Sequence, residues 1–342
     1  MDKLRRGTRA PWLRSAVASG PIRFLLGAAT GVAVTLALLV VALWTLDGAG
    51  ALKAPAFTNR ATFDEKLRFV RAHPSPAPEW LFVGSSTTLW GVDATTLASR
   101  RPPITALNVG IRDLKVHQLA AVTKLYLDLL PSIRTVVVIS TPMDFEQCGD
   151  ATAIFFDPQE AASYLRRDHH ELYYQLRNLD ILGIVRRAPR IAADRREPAI
   201  GVDALAFDRS GSILLDLPPS AVPATVMRGS MPDFADRCYE ALGAFARGLR
   251  RREGRRLVFV LAPMRPAYLA ALDADGALLD AHRRRLAGLA AEERFTFIDA
   301  HRGLDLDEAA FFDAYHLRAS IVPQVTRYIV EAMNKQSLSI VK

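Results

Sequence analysis

Three segments of the 342-residue chain set reactive residue types at the ends of short apolar runs. The run Trp80 to Val83 leads straight into Gly84-Ser85-Ser86-Thr87, where the glycine permits a tight turn and Ser86 is presented at the start of a turn or helix. Such a serine can be a nucleophile, although Gly-Ser-Ser is also ordinary turn and helix-cap chemistry. A second run, Thr105 to Val109, ends at Asn108-Val109-Gly110, whose glycine N–H can approach a reacting oxygen beside Ser86 or simply turn the chain. Near the C-terminus, Asp313 stands three residues before His316 in FFDAYHL. A carboxylate at that spacing can bend back to the imidazole, fix its tautomer and stabilise the imidazolium while the other ring nitrogen takes a proton from serine. Ser86, Asp313 and His316 thus form a candidate catalytic triad, with the N–H groups of Ser86 and Gly110 as a candidate oxyanion hole. His73, His117, His169, His170, His282 and His301 lack this arrangement, and the His169-His170 pair reads as exposed rather than metal-bound.

The elements that must position these residues follow from the pattern of apolar residues. Trp80 to Val83, Thr105 to Val109, Arg134 to Ile139, Arg256 to Leu261 and Phe295 to Ile298 have the length and composition of buried strands. Gln118 to Leu130, Asp233 to Arg252, Leu278 to Ala291 and Ala319 to Met333 carry helical spacing between and after them. Strands alternating with helices predict an α/β fold whose parallel sheet is covered on both faces, with ligands outside the carboxyl ends of the strands. Between the third and fourth runs, residues 145 to 232 form an insertion that is helical over Glu160 to Arg187 and irregular over Ala192 to Met231. Its polar, proline-rich run DLPPSAVPATVMRGSMPD reads as part of a lid or side wall that sets substrate choice.

Half of the residues are apolar, which excludes a disordered chain, and the net charge is +8. Residues 1 to 23 alone carry a net of +5, so the basic excess is largely an N-terminal tail. Phe24 to Leu46 then runs without a charge, long enough to span a hydrocarbon layer of about 30 Å. Positive charge stays inside, so the expectation is a single-pass protein of the bacterial inner membrane. Its N-terminus is then cytoplasmic and its C-terminal domain periplasmic. A cleaved signal peptide, with Ala49-Gly50-Ala51 as its site, is the competing reading, but its apolar region should be shorter. Gly27 and Gly31 form a GxxxG spacing that is also common in such helices generally. Residues 47 to 60 read as a tether, with a short amphipathic helix from Thr62 to Arg71 opening a domain over residues 61 to 342. Two cysteines, Cys148 and Cys238, permit one disulfide and exclude a cysteine-based structural metal site. Arginine groups at Arg247, Arg250 to Arg252, Arg255, Arg256 and Arg283 to Arg285 read first as solvated helix faces, with contact to anionic lipid or polysaccharide as the other option. Without interleaved aromatics or a recognition motif they give no support for nucleic-acid binding.

In this order the residues resemble the SGNH, or GDSL, hydrolases over roughly residues 79 to 335. Gly84-Ser85-Ser86 matches the first block with Ser85 in place of aspartate, Gly110 the second, and Asp313 with His316 the last. The third block, within VVVISTPMDF, has Met143 where the oxyanion-hole asparagine would stand, followed by a matching Asp144. Losing that donor would remove about 3–4 kcal/mol of transition-state stabilisation. Either Thr141 or a backbone N–H substitutes, or the chemistry is slow; Asp144 orders the loop or caps the following turn. The resemblance implies a three-layer α/β/α domain with a five-stranded parallel sheet and no cofactor. The Gly-Ser-Ser form behind a membrane anchor is similar to the D-alanyl transfer proteins of teichoic acid synthesis and the alginate O-acetylation proteins. That branch implies a partnership with a polytopic membrane-bound O-acyltransferase. The expected function is an extracytoplasmic serine esterase or O-acyltransferase acting on acyl esters of an envelope polysaccharide, held to the bilayer through Phe24 to Leu46. The alternatives are a catalytically weak scaffold or glycan-binding partner of the acyltransferase, and an accessory protein that shares only the fold.

Overall fold

Each apolar run of the sequence becomes a strand because its side chains alternate between two covered faces. The computed structural model describes residues 19–74, 77–149, 154–217, 234–251 and 254–340. The strands are β1 (Trp80–Gly84), β2 (Ala106–Asn108), β3 (Thr135–Ser140), β4 (Arg256–Leu261) and β5 (Thr296–Asp299). Among the described residues they form one parallel sheet in the order β2-β1-β3-β4-β5. The helices in the first half of the chain are α1 (Ser19–Gly48), α2 (Ala61–Ala72), α3 (Ser86–Trp90), α4 (Ala94–Ala98) and α5 (Leu119–Leu129). Then come α6 (Pro158–Arg166), α7 (Glu171–Arg177), α8 (Ile181–Asp194) and α9 (Asp236–Arg251). The last are α10 (Pro266–Leu272), α11 (Ala277–Glu293), α12 (Ala300–Gly303) and α13 (Val322–Ile340).

Leu81, Val83, Val136, Val138, Leu257 and Phe259 point from the sheet into a core closed by α2, α5, α9 and α11. The intervening residues Phe82, Val137, Ile139, Val258, Val260 and Ile298 point the other way, against α4 and α13. The domain is therefore the expected three-layer α/β/α arrangement, and each fully buried aliphatic or aromatic side chain in it contributes about 1.5–3 kcal/mol. The chain leaves β1 for β2 on one side and returns to β3 on the other. Strand order thus reverses beside β1, and the crevice this creates at the strands' carboxyl ends is where an open α/β sheet receives ligands.

α1 forms a unit of its own with the residues up to Leu52. It is long and apolar enough to cross a membrane, with Phe24, Leu38 and Trp44 all exposed. Residues 1–18 of the basic tail lie outside the described residues, and its last arginine, Arg23, is within α1. The folded unit begins at Lys53, earlier than the expected boundary near residue 60. Residues 53–60 join it because α2 offers acceptors: Ala54 N–H donates to Glu65 Oε1 (2.7 Å) and the Thr58 hydroxyl to Asp64 Oδ1 (3.0 Å).

The insertion supplies α6, α7 and α8, the last running past the expected end to Asp194. A left-handed Arg167 (φ 64°) ends α6, so the helical stretch is broken rather than continuous. Most of the proline-rich run lies outside the described residues. Cys148 and Cys238, 90 residues apart, are disulfide-bonded and close the base of the insertion.

Candidate active site

Only glycine can end β1 as this chain does, since a Cβ on Gly84 would stand 2.9 Å from the Ile139 carbonyl oxygen and 2.2 Å from Thr88 Oγ1. The close passage carries the chain directly into α3, with Ser86 as its first residue. Ser86 Oγ lies 2.8 Å from His316 Nε2, and His316 Nδ1 lies 2.6 Å from Asp313 Oδ2. The structure thus brings together the three residues that the sequence pairs, from positions 230 residues apart.

The spacing of Asp313 and His316 has a visible cause. Asp313 Oδ1 accepts the backbone N–H groups of Tyr315 (3.0 Å) and His316 (2.8 Å), which folds the segment into a tight turn and leaves Oδ2 for the imidazole. Burial alone would raise the Asp313 pKa, but the bonds from the His316 ring and from these two N–H groups hold it below the ordinary carboxylate value. An ionised Asp313 fixes the proton on Nδ1 and leaves Nε2 free to accept from Ser86. The ring is clamped by Trp90 edge-on at 4.6 Å, Phe312 stacked at 5.4 Å and Tyr315 at 4.5 Å. Trp90 and Phe312 carry no reactive group, so residue type alone does not mark them as part of the site. The available signal was that Trp90 lies four residues after Ser86, on the same face of a helix.

Ser85 turns away from the triad, and its hydroxyl donates to Asp144 Oδ2 at 3.1 Å. The same oxygen accepts the Ser140 hydroxyl (2.9 Å) and Thr141 N–H (3.1 Å), so Asp144 orders the turn after β3 and joins it to the turn after β1. Burial pushes the Asp144 pKa up to about 6, against the opposing effect of the Thr141, Ser140 and Ser85 hydrogen bonds. Met143 has its carbonyl bound by Lys115 Nζ (2.9 Å) and its sulfur 3.7 Å from the Tyr268 hydroxyl. Thr141 Oγ1 is buried and has no hydrogen-bond partner.

Gly110 corrects the sequence reading. Its N–H donates to Asn108 Oδ1 at 2.8 Å, so it is engaged within its own turn rather than offered to an oxyanion. The glycine is required for a different reason: a Cβ would stand 2.6 Å from Leu89 N, and β2 could not pass so close to α3. Of the two expected oxyanion donors, Ser86 N–H belongs to the first residue of α3 and so has no intrahelical carbonyl to bind.

Asn108 emerges as the hinge pin of this region. Its Nδ2 donates to the Thr88 carbonyl (2.8 Å) and Ser212 Oγ (2.9 Å), and its own carbonyl accepts Lys66 Nζ (3.1 Å). Lys66 is fully buried under the Phe207 ring (4.1 Å) and also binds the Gly211 carbonyl. Burial drives its pKa down to about 7. Lys66 and Asn108 therefore tie α2, β2 and the 205–215 segment of the insertion to the helix that carries Ser86.

The other histidines serve local packing. His282 bonds the Tyr239 hydroxyl (2.6 Å), His301 accepts Met264 N–H (3.3 Å), and the exposed His170 caps α7 through Leu172 N–H (3.2 Å). Among the described residues, no three His, Cys, Asp or Glu side chains gather as a metal site.

No family profile matches the chain, and no curated protein matches it significantly by sequence. Solved structures with a similar chain path include an arylesterase candidate from Agrobacterium tumefaciens strain C58, 13% identical, at a TM-score of 0.37 over 75% of this chain and 99% of that one. An inhibitor-bound aryl esterase of M. smegmatis is 11% identical at a TM-score of 0.38, covering 77% of this chain and 100% of the other. A carbohydrate acetylesterase family member from Sinorhizobium meliloti is 17% identical at a TM-score of 0.31, covering 73% and 94%.

Proposed function

We propose that this protein is a membrane-anchored, extracytoplasmic serine esterase or O-acyltransferase of SGNH type, acting on acyl esters of a cell-envelope polysaccharide. The observation that carries the reading is the continuous relay from Ser86 Oγ through His316 to Asp313. His316 Nε2 takes the Ser86 proton as Oγ bonds to the acyl carbon, and Asp313 stabilises the imidazolium so formed. Ser86 N–H faces the developing oxyanion, with the unpartnered Thr141 hydroxyl as the side-chain donor in place of the absent asparagine. The carbon–oxygen bond to the leaving alcohol breaks as Nε2 returns the proton to that oxygen. Water or a sugar hydroxyl then attacks acyl-Ser86, gives its proton to Nε2, and Ser86 is restored when Nε2 hands that proton back. Hydrolysis and transfer differ only in this acceptor, and a polytopic membrane-bound O-acyltransferase would be the acyl donor's source in the second case.

Turnover of p-nitrophenyl acetate by the full chain in detergent, wild type beside Ser86→Ala and with an oligosaccharide acceptor added, tests the reading. Serine-dependent release with an acylated sugar selects transfer, and release without it selects hydrolysis. For the proposed orientation, the C-terminus should be digested by protease added to intact spheroplasts. A second reading, a scaffold with little catalysis of its own, is favoured by Met143 at the asparagine position and by the engaged Gly110 N–H. A serine-directed fluorophosphonate should label Ser86 in an enzyme and leave a scaffold unlabelled.

A further inference from the structure

The first half of α8 leaves one apolar face uncovered by the folded unit. Ile184 and Ile191 face inward, whereas Ile181, Leu182 and Val185 are 56%, 67% and 67% exposed. In helical projection these three residues form one stripe, and the exposed Arg186, Arg187 and Arg190 lie on the polar side of it. An apolar stripe flanked by arginines is the pattern of a helix lying in a membrane interface, with its apolar side chains among the acyl chains and its cations at anionic headgroups.

The chain itself brings this helix to the bilayer. Lys53, where the folded unit begins, is bonded to the first turn of α8: its Nζ lies 2.5 Å from Asp180, the residue that caps the helix. Gln175 Nε2 donates to the Lys53 carbonyl at 2.9 Å, and a Cβ on Gly183 would stand 2.8 Å from Lys53 Nζ. The apolar stripe therefore starts beside the point at which the chain enters the domain. α1 ends at Gly48, and five residues span at most about 18 Å. The Ala51 N–H is still bonded back to the Leu46 carbonyl (2.8 Å), which shortens the reach further.

We propose that Ile181, Leu182 and Val185 dock into the outer leaflet surface of the same membrane that α1 spans, a second contact that fixes how the domain stands on the bilayer. The inference rests on the reading of α1 as an uncleaved membrane span. Its test uses the full chain in vesicles of phosphatidylcholine and phosphatidylglycerol, with lipids carrying a quencher on the acyl chain. Among the described residues every native cysteine is in the Cys148–Cys238 disulfide, so a single introduced thiol takes the fluorophore. Val34→Cys reports the span, Leu182→Cys the proposed contact, and Leu278→Cys an exposed apolar position on α11 as reference. Strong quenching at position 34, with quenching at 182 several-fold above that at 278, is the expected result. Quenching at 34 with 182 no different from 278 overturns the docking and leaves the span intact. Absence of quenching at 34 overturns the span, and the docking inference with it.

Discussion

In the proposed mechanism His316 is prepared for its role by what surrounds it more than by its own identity. Trp90 and Phe312 hold the ring, Asp313 fixes its tautomer, and Ser86 Oγ already lies within hydrogen-bond reach of Nε2. Ser86→Ala and His316→Ala should each lower ester turnover by on the order of 10⁴-fold or more, with little change in thermal midpoint. A collapse in stability instead would mark the residues as structural. Thr141 allows a sharper test. Its hydroxyl is buried without a partner, so replacing it with an isosteric methyl removes an unsatisfied group and should leave stability equal or higher. If that hydroxyl donates only to the transition state, Thr141→Val should nevertheless lower kcat by about 10²–10³-fold. Unchanged kcat in that variant would pass the oxyanion role to backbone N–H groups.

At the scale of elements, α3 is held by a buried polar network whose furthest member is Lys66. The amine binds the carbonyls of Asn108 and Gly211, and Asn108 in turn binds Thr88 within α3. Burial lowers the Lys66 pKa to about 7 from an ordinary 10.5, so between those values the unfolded chain binds more protons than the folded one. Stability contributed at this site is therefore least below pH 7 and rises as pH climbs toward 10. A neutral amine keeps two hydrogens, enough for both carbonyls. Urea midpoints at pH 6.5, 8 and 9.5 should show wild type gaining on Lys66→Met as pH rises; parallel curves would contradict the buried, deprotonating lysine. The variant should be less stable throughout, since both carbonyls lose their donor.

The whole molecule joins an apolar helix to a domain whose largest insertion is closed by one covalent link. The Cys148–Cys238 bond spans 90 residues, and closing a loop of that size disfavours the unfolded chain by about 4–5 kcal/mol. Replacing both cysteines with serine should lower the thermal midpoint by on the order of 5–10 °C, as read by calorimetry of the detergent-solubilised chain. Loss of activity without that shift would instead point to a local effect on the turn after β3, which lies just before Cys148.

The properties that the sequence determined by itself are those written in short-range pattern. Short continuous apolar runs specify strands buried on both faces, a charge-free stretch specifies α1, and Asp313 with His316 declares itself because three residues suffice for one carboxylate to cap a turn and reach a ring. Even the candidate nucleophile is legible, since a strand running into Gly-Ser-Ser leaves few ways to turn. The tertiary structure decided whatever depends on partners distant in the chain or on competition for a single hydrogen bond. The Gly110 N–H is an attractive oxyanion donor until Asn108 takes it, and which group prevails is a matter of turn geometry that residue type does not encode. Lys66 belongs to an ordinary amphipathic helix until a loop 145 residues away closes over it. Residues 53–60 look like a tether until Asp64 and Glu65 accept their donors. In each case local composition permits more than one outcome, and the choice is made by the long-range packing that brings the competing group within reach.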